Sequence, residues 1–172
     1  MPEPEPYALP ETPVHLATAE EVAAFGARLS TTLTQGDVLT LYGDLGAGKT
    51  TLARGLIQAW LNDQGLDPEE VPSPTFTLVQ VYEGRACDLW HVDLYRIESL
   101  SEIAELALDD AADAGILVIE WPERFGPLLP EDRLDVHIDI LADGARQVRL
   151  ERHGRALERE RGPTANRGTE NT

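Results

Sequence analysis

One segment of the chain constrains its fold more than any other. Residues 43–50 read Gly-Asp-Leu-Gly-Ala-Gly-Lys-Thr, a full match to the phosphate-binding pattern Gly-x-x-x-x-Gly-Lys-Ser/Thr, and Lys49 within it is the one lysine among 172 residues. The glycines allow the backbone to curl so that successive N–H groups point at an anion, and the helix that follows adds its positive N-terminus. We expect Lys49 to bridge the β- and γ-phosphates of a triphosphate and the Thr50 hydroxyl to bind Mg²⁺. The residues expected to contact ATP are Asp44, Leu45, Gly46, Ala47, Gly48, Lys49, Thr50 and Thr51.

The residues around this loop favour the same interpretation. Residues 38–42 are a β-favouring run that leads directly into the loop, and residues 51–61 place Leu52, Leu56 and Trp60 on one face of a helix. A glycine-rich turn that binds nothing is the alternative. Because strand, loop and helix follow one another in the required order, the sequence predicts a nucleotide-binding site.

Length and composition indicate one domain. A chain of 172 residues with 42% hydrophobic content can bury one α/β core. We expect the P-loop domain to span residues 14–152, the proline-rich residues 1–13 to be disordered and the arginine-rich residues 153–172 to form a flexible tail. No apolar run approaches the roughly 18 residues of a membrane span, and the N-terminus lacks the basic and apolar parts of a signal peptide, so we expect a cytoplasmic protein.

Charge is distributed unevenly. Residues 1–144 carry 7 basic and 27 acidic side chains, a net charge of −20, whereas residues 145–172 carry 7 arginines and 4 glutamates, a net charge of +3. Such an acidic body repels a phosphate backbone, so neither DNA nor RNA is an expected direct partner. The basic end can contact RNA or an acidic protein, although its mixed composition is more typical of a solvated end.

The remaining pattern predicts a three-layer α/β fold of the P-loop NTPase class, with a mostly parallel central sheet and antiparallel additions. Two Ser/Thr-x-x-Glu capping signals, at Thr18 and Ser99, open helices that extend to about residues 33 and 114. Gly84 and Gly144 mark the turns of two antiparallel strand pairs. The strands are expected at residues 38–42, 75–82, 85–93, 116–119, 133–141 and 145–151.

Two acids stand at the ends of predicted strands. Asp93 follows residues 89–92 and Glu120 follows the apolar run 116–119. Ligands of open α/β sheets gather beyond the carboxyl ends of the strands, so both acids are candidates to hold Mg²⁺ or polarise water, although a strand end at the surface is the alternative for each. The segment Ser73-Pro74-Thr75 suits a switch whose hydroxyl reaches Mg²⁺, or an ordinary turn.

The four histidines, residues 15, 91, 137 and 153, show no metal-ligand spacing with one another or with the single cysteine. His137 alternates with apolar neighbours and is expected on the solvent face of its strand. His91 is two residues before Asp93 and can share its face. No histidine is assigned to catalysis.

Four motifs together resemble the TsaE family, the bacterial ATPases that assist threonylcarbamoyladenosine modification of tRNA. They are GDLGAGKTT at 43–51, SPTFTLV at 73–79, HVDLYR at 91–96 and EWPE at 120–123, in that order. The resemblance spans about residues 14–150. It implies a P-loop fold that hydrolyses ATP slowly with Mg²⁺ and acts on the TsaB-TsaD complex, so that tRNA is reached only through that complex.

Residue by residue, the resemblance implies that Lys49 and Thr50 serve phosphate and metal and that Glu120 is a metal or water ligand. It also places Thr75 and Asp93 in switch-like segments and Trp121 beside the nucleotide. The expected catalytic set is Lys49, Asp93 and Glu120.

Other functions compete with this one. A GTPase needs an Asn-Lys-x-Asp type base reader, which a chain with its one lysine in the P-loop cannot supply. A small-metabolite kinase needs a lid with several cationic side chains, for which Arg124 and Arg133 are poor candidates. A nucleotide-dependent binding protein without useful turnover remains the third possibility.

Overall fold

A computed structural model describes residues 7–67 and 70–157 of the chain. The helices are α1 (Ala19–Ser30), α2 (Lys49–Asp63), α3 (Leu100–Glu105) and α4 (Leu108–Ala114), with a 3-10 segment at Pro122–Leu128. The strands are β1 (Val14–Leu16), β2 (Val38–Tyr42), β3 (Val79–Tyr82), β4 (Leu89–Asp93), β5 (Ile116–Glu120), β6 (Arg133–Ile140) and β7 (Arg146–His153).

The strands form one sheet in the order β1-β7-β6-β2-β5-β4-β3. The four middle strands, β6, β2, β5 and β4, are parallel to one another, whereas β1, β7 and β3 pair antiparallel at the two sides. The prediction of a mostly parallel sheet with antiparallel additions is therefore confirmed.

Helices cover both faces of the sheet. Leu39, Leu41 and Val118 contribute to a core with α1 and α2, whereas Leu117 and Ile119 contribute to a second core with α3 and α4. Successive residues of β5 thus enter opposite cores, which explains why this strand is a continuous apolar run. The predicted three-layer α/β architecture is confirmed.

Local hydrogen bonds set the ends of α1. The Thr18 side chain accepts from the Glu21 N–H, as the capping signal predicts, while the Glu21 carboxylate accepts from the Ala17 N–H. The helix ends at Ser30, three residues before its predicted end. At this end three side-chain hydroxyls each donate to the backbone carbonyl oxygen three residues earlier, and these bonds compete with those that would continue the helix. The hydroxyls belong to Ser30, Thr31 and Thr32.

Several predicted elements are shorter than expected. Residues 75–77 form a turn rather than a strand, because Leu78 adopts φ of 67° and its N–H bonds to the Pro74 carbonyl. Residues 85–88 belong to the loop before β4. The predicted helix over 100–114 is broken in two at Ala107, which has φ of 50°. Strand β1 has no counterpart among the predicted strands.

The ends of the described chain contact the core. Tyr7 and Leu9 pack partly buried against it, and Ala156 and Leu157 are buried beyond β7, which itself extends to His153. Residues 1–6 of the predicted disordered segment and residues 158–172 of the predicted tail lie outside the described residues. Within the described residues no helix has the length and apolarity needed to cross a bilayer.

Two glycines allow α1 and α2 to approach closely. A Cβ at Gly26 would lie 2.1 Å from the Leu52 carbonyl oxygen, and a Cβ at Gly55 would lie 2.1 Å from the Ala23 carbonyl oxygen. The two helix backbones are therefore in direct contact. This contact holds the start of α1 beside residues 43–50, the phosphate loop, whose last two residues are the first residues of α2.

We predict that Gly55→Ala destabilises the protein by about 1–3 kcal/mol, because the added methyl group forces the helices apart. Helix propensity alone predicts the opposite sign, since alanine is favoured over glycine by about 1 kcal/mol. Denaturant unfolding measures the change in the free energy of unfolding.

The control is Ala24→Gly at an exposed position of α1, which measures the difference in helix propensity between alanine and glycine without a change in packing. A Gly55→Ala variant as stable as wild type would contradict the close contact of the two helices.

Candidate functional site

A cleft of 320 Å³ opens at the carboxyl ends of β2, β5 and β4, where the sequence predicts the site. Its lining combines the phosphate loop, the segment before β3 and the residues that follow β4 and β5. These residues are Leu45, Gly46, Gly48, Lys49, Thr50, Thr51, Ser73, Thr75, Asp93, Tyr95 and Trp121. Asp44 and Ala47, expected to contact ATP, lie in the same loop but outside this lining, and Glu120 lies buried directly behind it.

The phosphate loop has the backbone shape that its glycines predict. Gly46 and Gly48 have φ of 80° and 109°, the left-handed region that favours glycine. Gly48 is the N-cap of α2, so its helix begins at Lys49 with no acidic residue in its first turn. The positive end of a 15-residue helix therefore faces the cleft.

The Lys49 ammonium group lies within the loop. Its Nζ donates to the carbonyl oxygens of Gly43 and Asp44 and sits 3.8 Å from the centre of the Trp121 ring. Burial lowers the pKa of Lys49, although nearby acids, Glu120 foremost, act in the opposite direction. The two carbonyl oxygens that accept hydrogen bonds from the Lys49 amine can be replaced by phosphate oxygens.

Thr50 and Glu120 are joined directly. The Thr50 hydroxyl donates to Glu120 Oε1 over 2.7 Å, and the Glu120 side chain is 1% exposed. Glu120 Oε2 lies 3.6 Å from His91 Nε2, and neither atom forms a hydrogen bond within the described residues. Burial raises the pKa of Glu120, but its contacts with His91, Thr50 and Asp93 outweigh burial and place the pKa below its usual value. The result is a buried carboxylate that favours its charged form.

Asp93 lies beside Glu120 because β4 and β5 pair in parallel with these two residues opposite each other. Asp93 Oδ1 accepts from the Tyr95 N–H over 2.9 Å, and Oδ2 accepts from the Thr75 hydroxyl over 3.0 Å. Burial is the main reason that the pKa of Asp93 is raised, and the charge of Glu120 adds to it. Two neighbouring carboxyls thus have pKa values shifted in opposite directions.

Thr75 ties the segment before β3 to this pair of acids. Its hydroxyl lies 2.7 Å from the Ser73 hydroxyl as well as in reach of Asp93. The structure therefore brings together Lys49, Thr50 and Trp121 with the strand-end acids and Thr75, as the sequence predicts. His91 shares the face of Asp93 and contacts Glu120.

Arg146 belongs to this region although its sequence position, in the basic end of the chain, does not predict it. Its guanidinium group donates to the carbonyl oxygens of Ala47, over 2.8 Å, and Gly46, over 3.0 Å. A third bond reaches Gly144 in the β6–β7 turn. This contact joins positions about a hundred residues apart, and no local pattern in the sequence signals it.

A second pocket of 150 Å³ lies on the other side of the phosphate loop. It shares Gly46, Gly48 and Thr51 with the cleft. The rest of its lining comes from the start of α1 and from the β6–β7 turn: Leu16, Ala17, Thr18, Ala19, Val22, Ala47, Gly144 and Arg146. The loop therefore separates the larger cleft from a smaller pocket.

We predict that Asp93→Asn makes the ligand-free protein more stable near neutral pH. The folded-state pKa of Asp93 lies above its ordinary value, so this group costs stability once it is ionised, and its contribution to the free energy of unfolding falls as pH rises through the folded pKa. The neutral amide escapes this cost. The advantage should therefore shrink as pH falls and wild-type Asp93 becomes protonated.

Denaturant unfolding at several pH values, without nucleotide or divalent metal, checks this expectation. Glu98→Gln removes an acid from an exposed position and serves as the control. A variant less stable than wild type at neutral pH would show that the hydrogen bonds of Asp93 outweigh the cost of its burial.

Comparison with known proteins identifies the family that this chain resembles. The model of the TsaE family, described as threonylcarbamoyl adenosine biosynthesis protein TsaE, matches residues 16–148. A tRNA threonylcarbamoyladenosine biosynthesis protein TsaE from Treponema pallidum is 38% identical over 132 residues, covering 76% of this chain and 93% of the relative. The protein of the same name from Nostoc sp. is 39% identical over 145 residues, covering 81% and 85%.

One solved structure is also similar to this chain. The crystal structure of YdiB from Bacillus subtilis superposes with a TM-score of 0.67 at 28% identity, over 89% of this chain and 93% of that one. The family match covers the phosphate loop, both strand-end acids and Trp121. The chain therefore belongs to the TsaE family.

Proposed function

We propose that this protein binds ATP with Mg²⁺, hydrolyses it slowly, and supports threonylcarbamoyladenosine modification of tRNA by acting on the TsaB-TsaD complex. One observation carries the ATPase part of the proposal: the 2.7 Å hydrogen bond between Thr50, which follows the loop lysine, and the buried Glu120. It joins the phosphate loop to a carboxylate with a lowered pKa at the place where a triphosphate carries its metal.

Phosphate recognition follows from the loop. The Lys49 ammonium bonds to the loop's own Gly43 and Asp44 carbonyl oxygens, and phosphate oxygens are stronger partners for a cation than neutral carbonyls. The N-terminus of α2 adds N–H groups and a positive dipole. We assign the ATP phosphates to this loop, with Trp121 beside Lys49 as a wall of the cleft.

The oxygen donors around the cleft fit a magnesium ion. Thr50 and Glu120 supply a hydroxyl and a carboxylate, and Glu120 Oε2 is buried without a hydrogen bond within the described residues. Mg²⁺ prefers such oxygen ligands and, when bound, neutralises charge that develops on the phosphates. We assign to Asp93 the role of orienting water next to this position, and its hydrogen bond with Thr75 connects it to the switch-like segment.

The smaller pocket suits the adenine base. It lies between the start of α1 and the phosphate loop, and apolar side chains such as Leu16 and Val22 contribute to its walls. Because it shares Gly46, Gly48 and Thr51 with the cleft, one nucleotide can occupy both with its phosphates in the loop. Arg146 bonds to the loop carbonyls at this border and fixes their direction.

The lining of the cleft supports the proposal that hydrolysis by the isolated protein is slow. Within the described residues, Lys49 is the one cationic side chain in its lining. A second positive group, such as an arginine supplied by a partner, accelerates phosphoryl transfer in related mechanisms by roughly 10³–10⁵-fold. Partner-stimulated hydrolysis therefore fits this site better than efficient hydrolysis alone.

Exposed apolar side chains around the cleft support docking of a partner there. Leu45, at the tip of the phosphate loop, is 73% exposed, and Phe76, next to Thr75, is 84% exposed. A partner that covers them would close the cleft and contact the switch-like segment. The acidic body opposes direct tRNA binding, so tRNA is reached through the complex in the cytoplasm.

Phosphate release measured under three conditions separates this function from its alternatives. Hydrolysis stimulated by TsaB-TsaD supports the proposal, ADP formation that depends on a small acceptor supports a kinase, and ATP-dependent docking without hydrolysis supports a binding protein. Phe76→Ser should weaken the stimulation while leaving ATP binding intact, and Leu100→Ser, at another exposed apolar position, is the matched control.

We predict that Lys49→Ala abolishes tight ATP binding while the protein still folds. The phosphates lose the one lysine available to neutralise them. A ligand at a hundredfold over its dissociation constant stabilises its protein by about 2.7 kcal/mol, so Mg-ATP should raise the melting temperature of wild type and not of the variant. Arg124→Ala removes an exposed cation outside the cleft lining and should keep the full shift. Equal shifts in wild type and Lys49→Ala would refute the phosphate assignment.

We predict that Glu120→Gln retains most of the ATP affinity but lowers partner-stimulated turnover at least tenfold. Loss of one negative charge beside Mg²⁺ affects the transition state more than the ground state. Asp93→Asn should act in the same direction. Single-turnover hydrolysis with TsaB-TsaD checks this, with Glu105→Gln at an exposed position of α3 as control; wild-type rates in both variants would exclude these acids from the chemistry.

A further inference from the structure

We propose that Asp135, His137, Glu151 and His153 form a second metal site, selective for Zn²⁺, on the sheet surface formed by β6 and β7. The two strands pair antiparallel, with Asp135 opposite Glu151. His137 is two residues beyond Asp135, and His153 is two residues beyond Glu151. Since every second residue of a strand faces the same side, the four side chains share one face.

This face is opposite to the one covered by α1 and α2. Leu134, Val136 and Ile138 alternate with the cluster along β6 and enter the core that contains those helices. The cluster does not line the nucleotide cleft, and the proposal does not depend on the assigned function.

The distances between ligand atoms suit one small cation. One ligand atom each from Asp135, His137 and Glu151 can be chosen so that all lie within 4.8 Å of one another. His137 Nε2 is 3.7 Å from Glu151 Oε2, and His153 Nε2 is 3.4 Å from Glu151 Oε1 and 2.8 Å from Asp135 Oδ2. Ligands about 2.0–2.2 Å from a tetrahedral zinc ion stand roughly 3.3–3.6 Å apart. His153 lies outside the set of three mutually close ligands, so its side chain must move toward His137 to complete the site.

Two imidazole nitrogens of the cluster lack hydrogen bonds. His137 Nε2 and His153 Nε2 are both buried and form none within the described residues, although carboxylate oxygens lie close by. A buried polar atom without a hydrogen bond costs free energy. Coordination of a metal by both nitrogens removes that cost.

Surrounding contacts hold the ligands in place. Asp135 Oδ1 accepts from the Thr40 hydroxyl and from Arg133 Nε, which leaves Oδ2 directed at His153. The Tyr42 ring stacks on His137, with centroids 4.7 Å apart and planes 13° apart, and so fixes the orientation of the imidazole. Outer contacts of this kind typically orient metal ligands.

The types of ligand atom indicate which metal ion fits the site. Mg²⁺ and Ca²⁺ prefer oxygen ligands throughout, whereas two imidazoles with two carboxylates suit Zn²⁺. The histidines show no metal-ligand spacing in the sequence, from which His137 is expected on the solvent face of its strand. The ligands come from two strands, and only the pairing of β6 with β7 brings them together.

Calorimetric titration of Zn²⁺ into the untagged, chelator-treated full-length chain tests the proposal. Excess Mg²⁺ is present to occupy oxygen-rich sites, and the expected result is one Zn²⁺ per chain. His137→Gln and Glu151→Gln should each weaken binding at least tenfold, and Thr40→Val, which releases Asp135, by about 10–100-fold. Co²⁺ in place of Zn²⁺ should give the absorption of a tetrahedral site in wild type and lose it in His137→Gln.

Two controls make the outcome decisive. His15 lies 3.8 Å from Asp143 as an exposed pair of the same chemistry, so His15→Gln should bind Zn²⁺ as wild type does. Lys49→Ala should also bind normally, because the nucleotide cleft is separate. Glu151 is 57% exposed, so its glutamine variant provides a test if His137→Gln does not fold. Absence of saturable Zn²⁺ binding, or equal affinity in the Glu151→Gln and wild-type proteins, would overturn the proposal and leave the cluster as neighbouring histidines and carboxylates without a metal.

Discussion

The parallel register of β2, β5 and β4 is the constraint on which the candidate site depends. It places Leu41 opposite Glu120, and Glu120 opposite Asp93, directly below the loop into which β2 runs. Burying two carboxylates side by side is unfavourable unless other groups compensate. Hydrogen bonds from the Thr50 and Thr75 hydroxyls and from the Tyr95 N–H provide that compensation. A slip of one residue in either strand would turn its acid to the opposite face of the sheet and dismantle the site.

Opposite pKa shifts give the two acids different character although they are neighbours. Glu120 is kept ionised by His91 and Thr50 in spite of its burial, whereas burial and the charge of Glu120 raise the pKa of Asp93. Such a division is frequent where one group holds a cation and another exchanges a proton. The buried His91 gives the sheet interior a polar partner directly behind Glu120. This arrangement distinguishes the site from an ordinary acidic strand end.

Much of the fold and of the cleft could be predicted because the signals are local. The Thr18 and Ser99 caps, the glycines of the phosphate loop and the apolar run of β5 each depend on neighbouring residues. Some errors arise where the backbone departs from its local preference: residues 75–77 turn rather than extend at Leu78, whose φ is 67°, and the Thr75 hydroxyl then bonds to Asp93 from outside the sheet. Arg146 and the histidine pair of β6 and β7 escaped notice for another reason, because only the folding of distant segments brings them to their partners.

The bonds from Arg146 to the phosphate loop bear on when this loop acquires its folded shape during synthesis. The loop is translated early, but the guanidinium group that holds the Gly46 and Ala47 carbonyl oxygens follows 100 and 99 residues later. At roughly 5–20 residues per second, the ribosome needs roughly 5–20 seconds to cover this interval. The neighbours of β2 on both sides, β5 and β6, are also translated in that time. A nascent chain therefore carries the phosphate-binding sequence well before it can carry the phosphate-binding structure.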